Sequence, residues 1–203
     1  MAKRAHISTL DAGRRFRRQA KQQPQRPVIQ IVCEGPTEEA YFLALKQHYR
    51  HSTALINVKI TRSPHSDPVR VVEKGKLSNK ERDFDRVYCV VDGDKPDRIK
   101  LALKHIRTRD DLDLIVSTPC FEVWLLLHFE RSDAPFATCA QACDRLREPQ
   151  RLPDYVKGLR YDFTPLTNLV DIAIDNAKWL AARERDNPAT ELHRLLTHIR
   201  PAP

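Results

Sequence analysis

Residues 27–42 read PVIQIVCEGPTEEAYF, and the order of residue types in that stretch decides the fold. Pro27–Cys33 is a short apolar run, the pattern of a strand buried on both faces. Glu34-Gly35-Pro36 breaks the run, and a proline suits the first helical position, where its missing N–H costs nothing. Beyond it Tyr41, Phe42 and Leu45 turn toward a core, with Glu38 and Glu39 in the first turn, so a helix is predicted over 36–50. A buried strand running straight into a helix is how a parallel α/β sheet begins.

The alternation continues outward. Ala54–Thr61 alternates and ends in β-branched residues, which predicts a second strand, and Val69–Leu77 reads as helix. Arg86–Val91 (RVYCVV) is a third strand, stopped by Asp92-Gly93-Asp94, and a helix follows over 96–107. Leu112–Val116 (LDLIV) is a fourth strand, and Ser117-Thr118-Pro119 leads into an apolar helix over Cys120–Phe129 (CFEVWLLLHF). Residues 131–165, with Pro149, Pro153 and Pro165, read as a loop-rich excursion. Two helical regions, 167–184 and 188–199, are separated at Asn187-Pro188. The expectation is an α/β core over 27–130, with a mostly parallel sheet flanked by helices. A C-terminal helical extension over 131–203 packs on it, and residues 1–26 form a basic, flexible arm.

The charge is uneven. Residues 1–26 hold eight basic side chains, Arg14, Arg15, Arg17 and Arg18 among them, against Asp11 alone, so the arm carries +7 of the chain's +8. Such an arm attracts phosphate backbones in a salt-dependent way. It has no apolar segment of the secretory kind, and no run in the chain is long enough to cross a bilayer. The five cysteines form no C-x-x-C pair, and Cys33 and Cys89 fall inside strands as small buried hydrophobes. Cys139 and Cys143 have helical spacing, but without paired short ligand spacing a zinc site with His193 or His198 is disfavoured. Free thiols in a reducing cytoplasm are the expectation.

Three acids stand where a parallel sheet places its ligands, at the carboxyl ends of strands. Glu34 follows the first strand, Asp92 closes the third, and Asp94 lies two residues on. Close together, such anions repel one another unless a cation neutralises them. Mg²⁺, which prefers oxygen ligands and few carboxylates, suits the set. Glu122 sits among Phe121, Val123 and Trp124, where burying an unpaired carboxylate is costly, so it points toward the same edge or out to solvent. His128 reads as a hydrogen-bonded core histidine.

Taken in order, IVCEGPTEEAYF (31–42), YCVVDGD (88–94), STPCFEVWLLLHF (117–129), YVK (155–157) and NPATELH (187–193) resemble the RloB family, whose members accompany restriction and phage-defence systems. The resemblance covers about residues 27–200 and implies a Toprim-like fold with a Mg²⁺-dependent phosphoryl-transfer site, Mn²⁺ serving as a substitute. By it, Glu34 matches the Toprim glutamate and Asp92 and Asp94 the D-x-D pair. Glu38 and Glu122 are neighbouring acids, and Lys157 neutralises charge on a transferring phosphoryl group. Gly93 departs from the charged residue that commonly stands between the aspartates. The implied activity is cleavage of DNA or RNA, with nucleic acid as one partner and another defence protein, such as an ATPase, as a second. The alternative is a non-catalytic module of a defence complex. A P-loop enzyme is disfavoured because no G-x-x-x-x-G-K-[ST] segment occurs.

Overall fold

The structure is a computed structural model that describes residues 27–50, 58–82 and 84–199. The basic arm, with Arg14, Arg15, Arg17 and Arg18, lies outside the described residues, as do residues 51–57, which include the second strand's expected start at Ala54.

Four parallel strands, β1 (Ile29–Cys33), β2 (Val58–Arg62), β3 (Arg86–Asp92) and β4 (Leu112–Thr118), and a short antiparallel β5 (Ala189–Thr190) form one sheet in the order β2-β1-β3-β4-β5. The helices between them are α1 (Pro36–His48), α2 (Pro68–Arg82) and α3 (Pro96–Ile106). After β4 come α4 (Glu122–Leu126), α5 (Cys139–Leu146), a 3-10 helix over Thr164–Leu169, α6 (Val170–Ala181) and α7 (Leu192–Ile199). This is the α/β, mostly parallel architecture expected of a Toprim-like fold. Among the described residues, no helix is long and apolar enough to cross a membrane.

Strand periodicity sorts the core into two clusters. Ile29, Ile31, Cys33, Tyr88, Val90 and Ile115 face α1, α4, α6 and α7, whereas Val32, Val87, Cys89, Val91, Leu112 and Leu114 face α2 and α3. Tyr41 of α1 is the hub of the larger cluster, meeting Phe121, Trp124, His128 and Phe163 edge-on with ring centroids 5.6, 6.2, 5.6 and 5.9 Å away.

Two elements depart from expectation for local reasons. The helix expected over Cys120–Phe129 is only the five residues of α4. The N–H of His128 bonds the Leu125 carbonyl three residues back, and Asn176 Nδ2 donates to the Leu127 carbonyl, so the ladder ends in a tight turn. Conversely α2 outruns its apolar pattern. Asp67 Oδ1 accepts the N–H groups of Val69 and Arg70 at its start, and Asn79 Oδ1 accepts the N–H of Phe84 just beyond its end.

Strand order places the ligand edge. The chain leaves β1 through α1 to β2 on one side, then returns through α2 to β3 on the other. The crevice at the carboxyl ends of β1 and β3 is thus the topological switch point, and Glu34 and Asp92 stand on its two sides.

Candidate metal centre

Glu34 is nearly buried just past β1. Its N–H donates to the Val90 carbonyl at 3.1 Å, and its Oε2 accepts the N–H of Asp92 at 3.0 Å, which ties the two strand ends together through a carboxylate. Burial pushes the Glu34 carboxyl up to about 7; the Asp92 N–H and Lys95 oppose the shift, and the charges of Asp92 and Asp94 add to it. Lys95 Nζ stands 4.0 Å from its Oε1.

Asp92 closes β3. Its Oδ1 accepts the N–H of Phe121 at 2.8 Å, and its Oδ2 lies 3.0 Å from Lys157 Nζ. Burial raises its carboxyl, with Glu122 adding and Lys157 opposing. Glu122 is fully buried at the start of α4, not solvent-facing. Its Oε2 lies 2.9 Å from the same Lys157 Nζ, and its Oε1 accepts the hydroxyl of Tyr155. For Lys157, burial would favour the neutral amine, but Asp92 and Glu122 outweigh it and hold the ammonium protonated.

Glu38 lies one turn into α1 and is buried. Gly35 makes room for it, since a Cβ there would lie 2.9 Å from Glu38 Oε2. Burial, then the Asp92 charge, holds its carboxyl well above the ordinary range. Gly93 is also dictated by packing: a Cβ there would meet the Thr118 side chain and lie 3.1 Å from the Thr118 Cα. The glycine where the resemblance led one to look for a charge thus lets the D-G-D turn settle on the end of β4.

Sequence reading grouped Glu34, Asp92 and Asp94, and the geometry redistributes that group. Among the described residues, the oxygens of these three do not all come within 4.8 Å of one another. The tight part is Asp92–Lys157–Glu122, with Glu34 joined through the Asp92 backbone and Glu38 facing the same charges. Asp94 is exposed and contributes at longer range, through its charge on Glu34. Two contributors had no signal in composition or spacing. Tyr155 reaches Glu122 from a Pro-rich loop, and the Thr37 hydroxyl lies 3.3 Å from the Tyr155 hydroxyl. Lys95 was unread as well.

Five acids share this edge with two ammonium groups, the raised carboxyls of Glu34, Glu38 and Asp92 resist ionising together without a further cation, and every acidic donor is a hard carboxylate oxygen. The donor set therefore fits Mg²⁺ or Mn²⁺. An open cleft of about 440 Å³ beside Leu43, Tyr161 and Phe163 is lined by none of these acids.

The family model for RloB-like protein matches residues 29–199, most of the chain. The chain belongs to the RloB-like family. No curated protein and no solved structure matches it. The RloB-like match begins downstream of the arm and takes in all five acids, Tyr155 and Lys157.

Other expectations resolve outside the acids. His128 is buried, with Nε2 3.1 Å from the Tyr41 hydroxyl and Nδ1 3.1 Å from the Trp124 carbonyl, and burial pushes it down to about 4, as suits a neutral core histidine. Cys33, Cys89 and Cys143 are free and buried, but Cys120 and Cys139 are joined in a disulfide, which corrects the expectation of free thiols throughout. The two residues lie 19 apart in sequence, in a spacing that announces neither a bridge nor a metal site.

Proposed function

We propose that this RloB-like protein is a Mg²⁺-dependent nuclease that cleaves DNA or RNA in a bacterial phage-defence system. One observation carries the reading: Glu34, Glu38, Asp92 and Glu122 converge, largely buried, on the switch-point edge of the sheet, where water cannot fully relieve their repulsion. Glu34, Asp92 and Asp94 would hold the ion, with Glu38 and Glu122 completing the set. Bound there, a divalent ion would supply Lewis-acid polarisation of a phosphoryl oxygen or an activated water. Lys157, kept protonated by its two carboxylates, is placed to meet charge developing on the phosphoryl group. Arg14, Arg15, Arg17 and Arg18 of the arm would hold the nucleic-acid backbone without reading sequence. A second defence protein, such as an ATPase, would be its partner.

The test is cleavage of single- and double-stranded DNA and RNA by the purified full chain with Mg²⁺ or Mn²⁺. Loss of cleavage in a folded Asp92→Asn variant supports the proposal. No cleavage of any substrate, together with undiminished defence by Asp92→Asn in cells, overturns it.

A second reading has its own support. Because Lys157 already bridges Asp92 and Glu122, the acids could be structural in a non-catalytic partner module. Calorimetry with Mg²⁺ separates the two, since only the nuclease reading requires binding that depends on Asp92 and Asp94.

A further inference from the structure

Behind the acid edge lies a second group of ligand atoms of different chemistry. Among the described residues, one set of metal-capable side chains has its ligand atoms all within 4.8 Å of one another: Cys120, Glu122 and Cys139. Cys139 Sγ lies 3.4 Å from Glu122 Oε2 and 4.0 Å from the Sγ of Cys143, one turn along α5. These two separations match edges of a tetrahedral zinc site, about 3.5 Å between sulfur and oxygen and about 3.8 Å between two sulfurs when Zn–S is about 2.3 Å, whereas the bonded Cys120 and Cys139 must part to reach that edge and Cys143 must close on the other ligands. The set is also built into the fold. Cys120 and Cys143 are buried, and Glu122 is fully buried with its other oxygen fixed by Tyr155. Cys139, half-buried at the start of α5, leaves a path from solvent.

We infer that the reduced protein binds one soft divalent cation, Zn²⁺ by preference, through Cys120, Cys139 and Glu122, with Cys143 as the fourth ligand, and that the Cys120–Cys139 disulfide is the metal-free, oxidised form of this site. The inference does not depend on nuclease activity. Thiolate sulfur prefers Zn²⁺ to Mg²⁺, so the two centres differ in the ions they take although Glu122 stands between them.

The interconversion balances with a dithiol as reductant. Two electrons pass to the Cys120–Cys139 bond as it breaks. The dithiol closes its own disulfide, and its two protons pass to the two released sulfurs. Zn²⁺ then displaces the thiol protons as each Zn–S bond forms, three when Cys143 takes part. An ion on Glu122 Oε2 competes with Lys157, which lies 2.9 Å from that oxygen and has Asp92 Oδ2 at 3.0 Å as its alternative partner.

The experiment uses the full chain, reduced with a dithiol, freed of it without air, and titrated with Co²⁺ as a spectroscopic stand-in for Zn²⁺. The expected result is one thiolate-bound Co²⁺ per chain, read from a thiolate-to-cobalt charge-transfer band that Zn²⁺ bleaches and the oxidised chain lacks. Cys139→Ser should lose the band and Cys143→Ser should bind more than about tenfold more weakly, whereas Asp94→Asn should keep both band and affinity. Should Cys139→Ser not fold, alkylation of the reduced wild type decides: Zn²⁺ must shield Cys120 and Cys139 from iodoacetamide, as read by mass spectrometry. No band in the reduced chain, a band that survives Cys139→Ser, a band lost in Asp94→Asn, or unshielded Cys120 and Cys139 each overturns the inference.

Discussion

Glu34 accepts the backbone N–H of Asp92 at 3.0 Å, so the first acid of the site positions the second without touching its carboxylate. The bond crosses between β1 and β3 at the point where the chain changes direction through the sheet. Glu34 thus has a structural task, accepting that N–H, which an amide could perform, and an electrostatic one, which an amide could not.

The two tasks separate by substitution. Glu34→Gln keeps an acceptor for Asp92 and removes a carboxyl that burial has already pushed up to about 7, so thermal stability is expected to hold or rise. Divalent-ion affinity, read by calorimetry, should fall at least about tenfold. Glu34→Ala leaves the Asp92 N–H without its partner and should cost about 1–3 kcal/mol in denaturant unfolding. Equal destabilisation by both substitutions would remove the division of roles.

Lys157→Met strips Asp92 and Glu122 of their shared cation. The side chain is 39% exposed, so the metal-free loss should be about 1–2 kcal/mol rather than that of a fully buried pair. Added Mg²⁺ should recover much of it, because the ion meets carboxylates that no longer have a competing ammonium. Unfolding with and without Mg²⁺ reads both effects, and a variant insensitive to Mg²⁺ counts against the metal centre.

Gly93→Ala drives a methyl into Thr118, whose Cα would be 3.1 Å away. A destabilisation of about 1–3 kcal/mol is expected. Thr118→Ala in the same chain should relieve it only in part, since backbone remains in the way. Full rescue would mean that the side chain alone sets the glycine requirement.

Asp67 supplies a pH signature away from the acids. The Arg98 guanidinium, then the Arg70 and Val69 N–H groups, hold its carboxyl down at about 2 against an ordinary value near 3.8. A depressed acid stabilises the fold fully above its unfolded value, and that contribution disappears as pH falls through its folded value. The stability gap between wild type and Asp67→Asn should therefore be constant near pH 6 and close between about pH 4 and pH 2. The pair matters to the site because it anchors the start of α3, just past Asp94, to the start of α2.

What could be read in advance followed from local pattern. The strands of PVIQIVC and RVYCVV are continuous apolar runs, and Glu34 and Asp92 are the residues that end them, so their shared edge follows once the strands are parallel neighbours. Glu122 was ambiguous because an acid in a first turn is equally at home in solvent; its partner, Lys157, lies 35 residues on in an irregular segment. Tyr155 was harder still, since a tyrosine in a loop carries no period and its hydrogen bond to Glu122 exists only in the assembled core. The short α4 and the two-residue β5 were hidden because Asn176 and Glu191 decide them from a distance, through the Leu127 carbonyl and the Val116 N–H.

The larger apolar cluster runs without a break from Ile29 in β1 to Ile199 in α7. A chain emerging from the ribosome can lay down most of the sheet early, yet α7, which packs on β4 and α6, closes its part of that face only later. Until Tyr155 and Lys157 have followed, the buried Glu122 lacks both its hydroxyl and its ammonium partner. Translation therefore acts as a safety catch: a product cut short before Tyr155 bears all five acids but not the groups that hold Glu122.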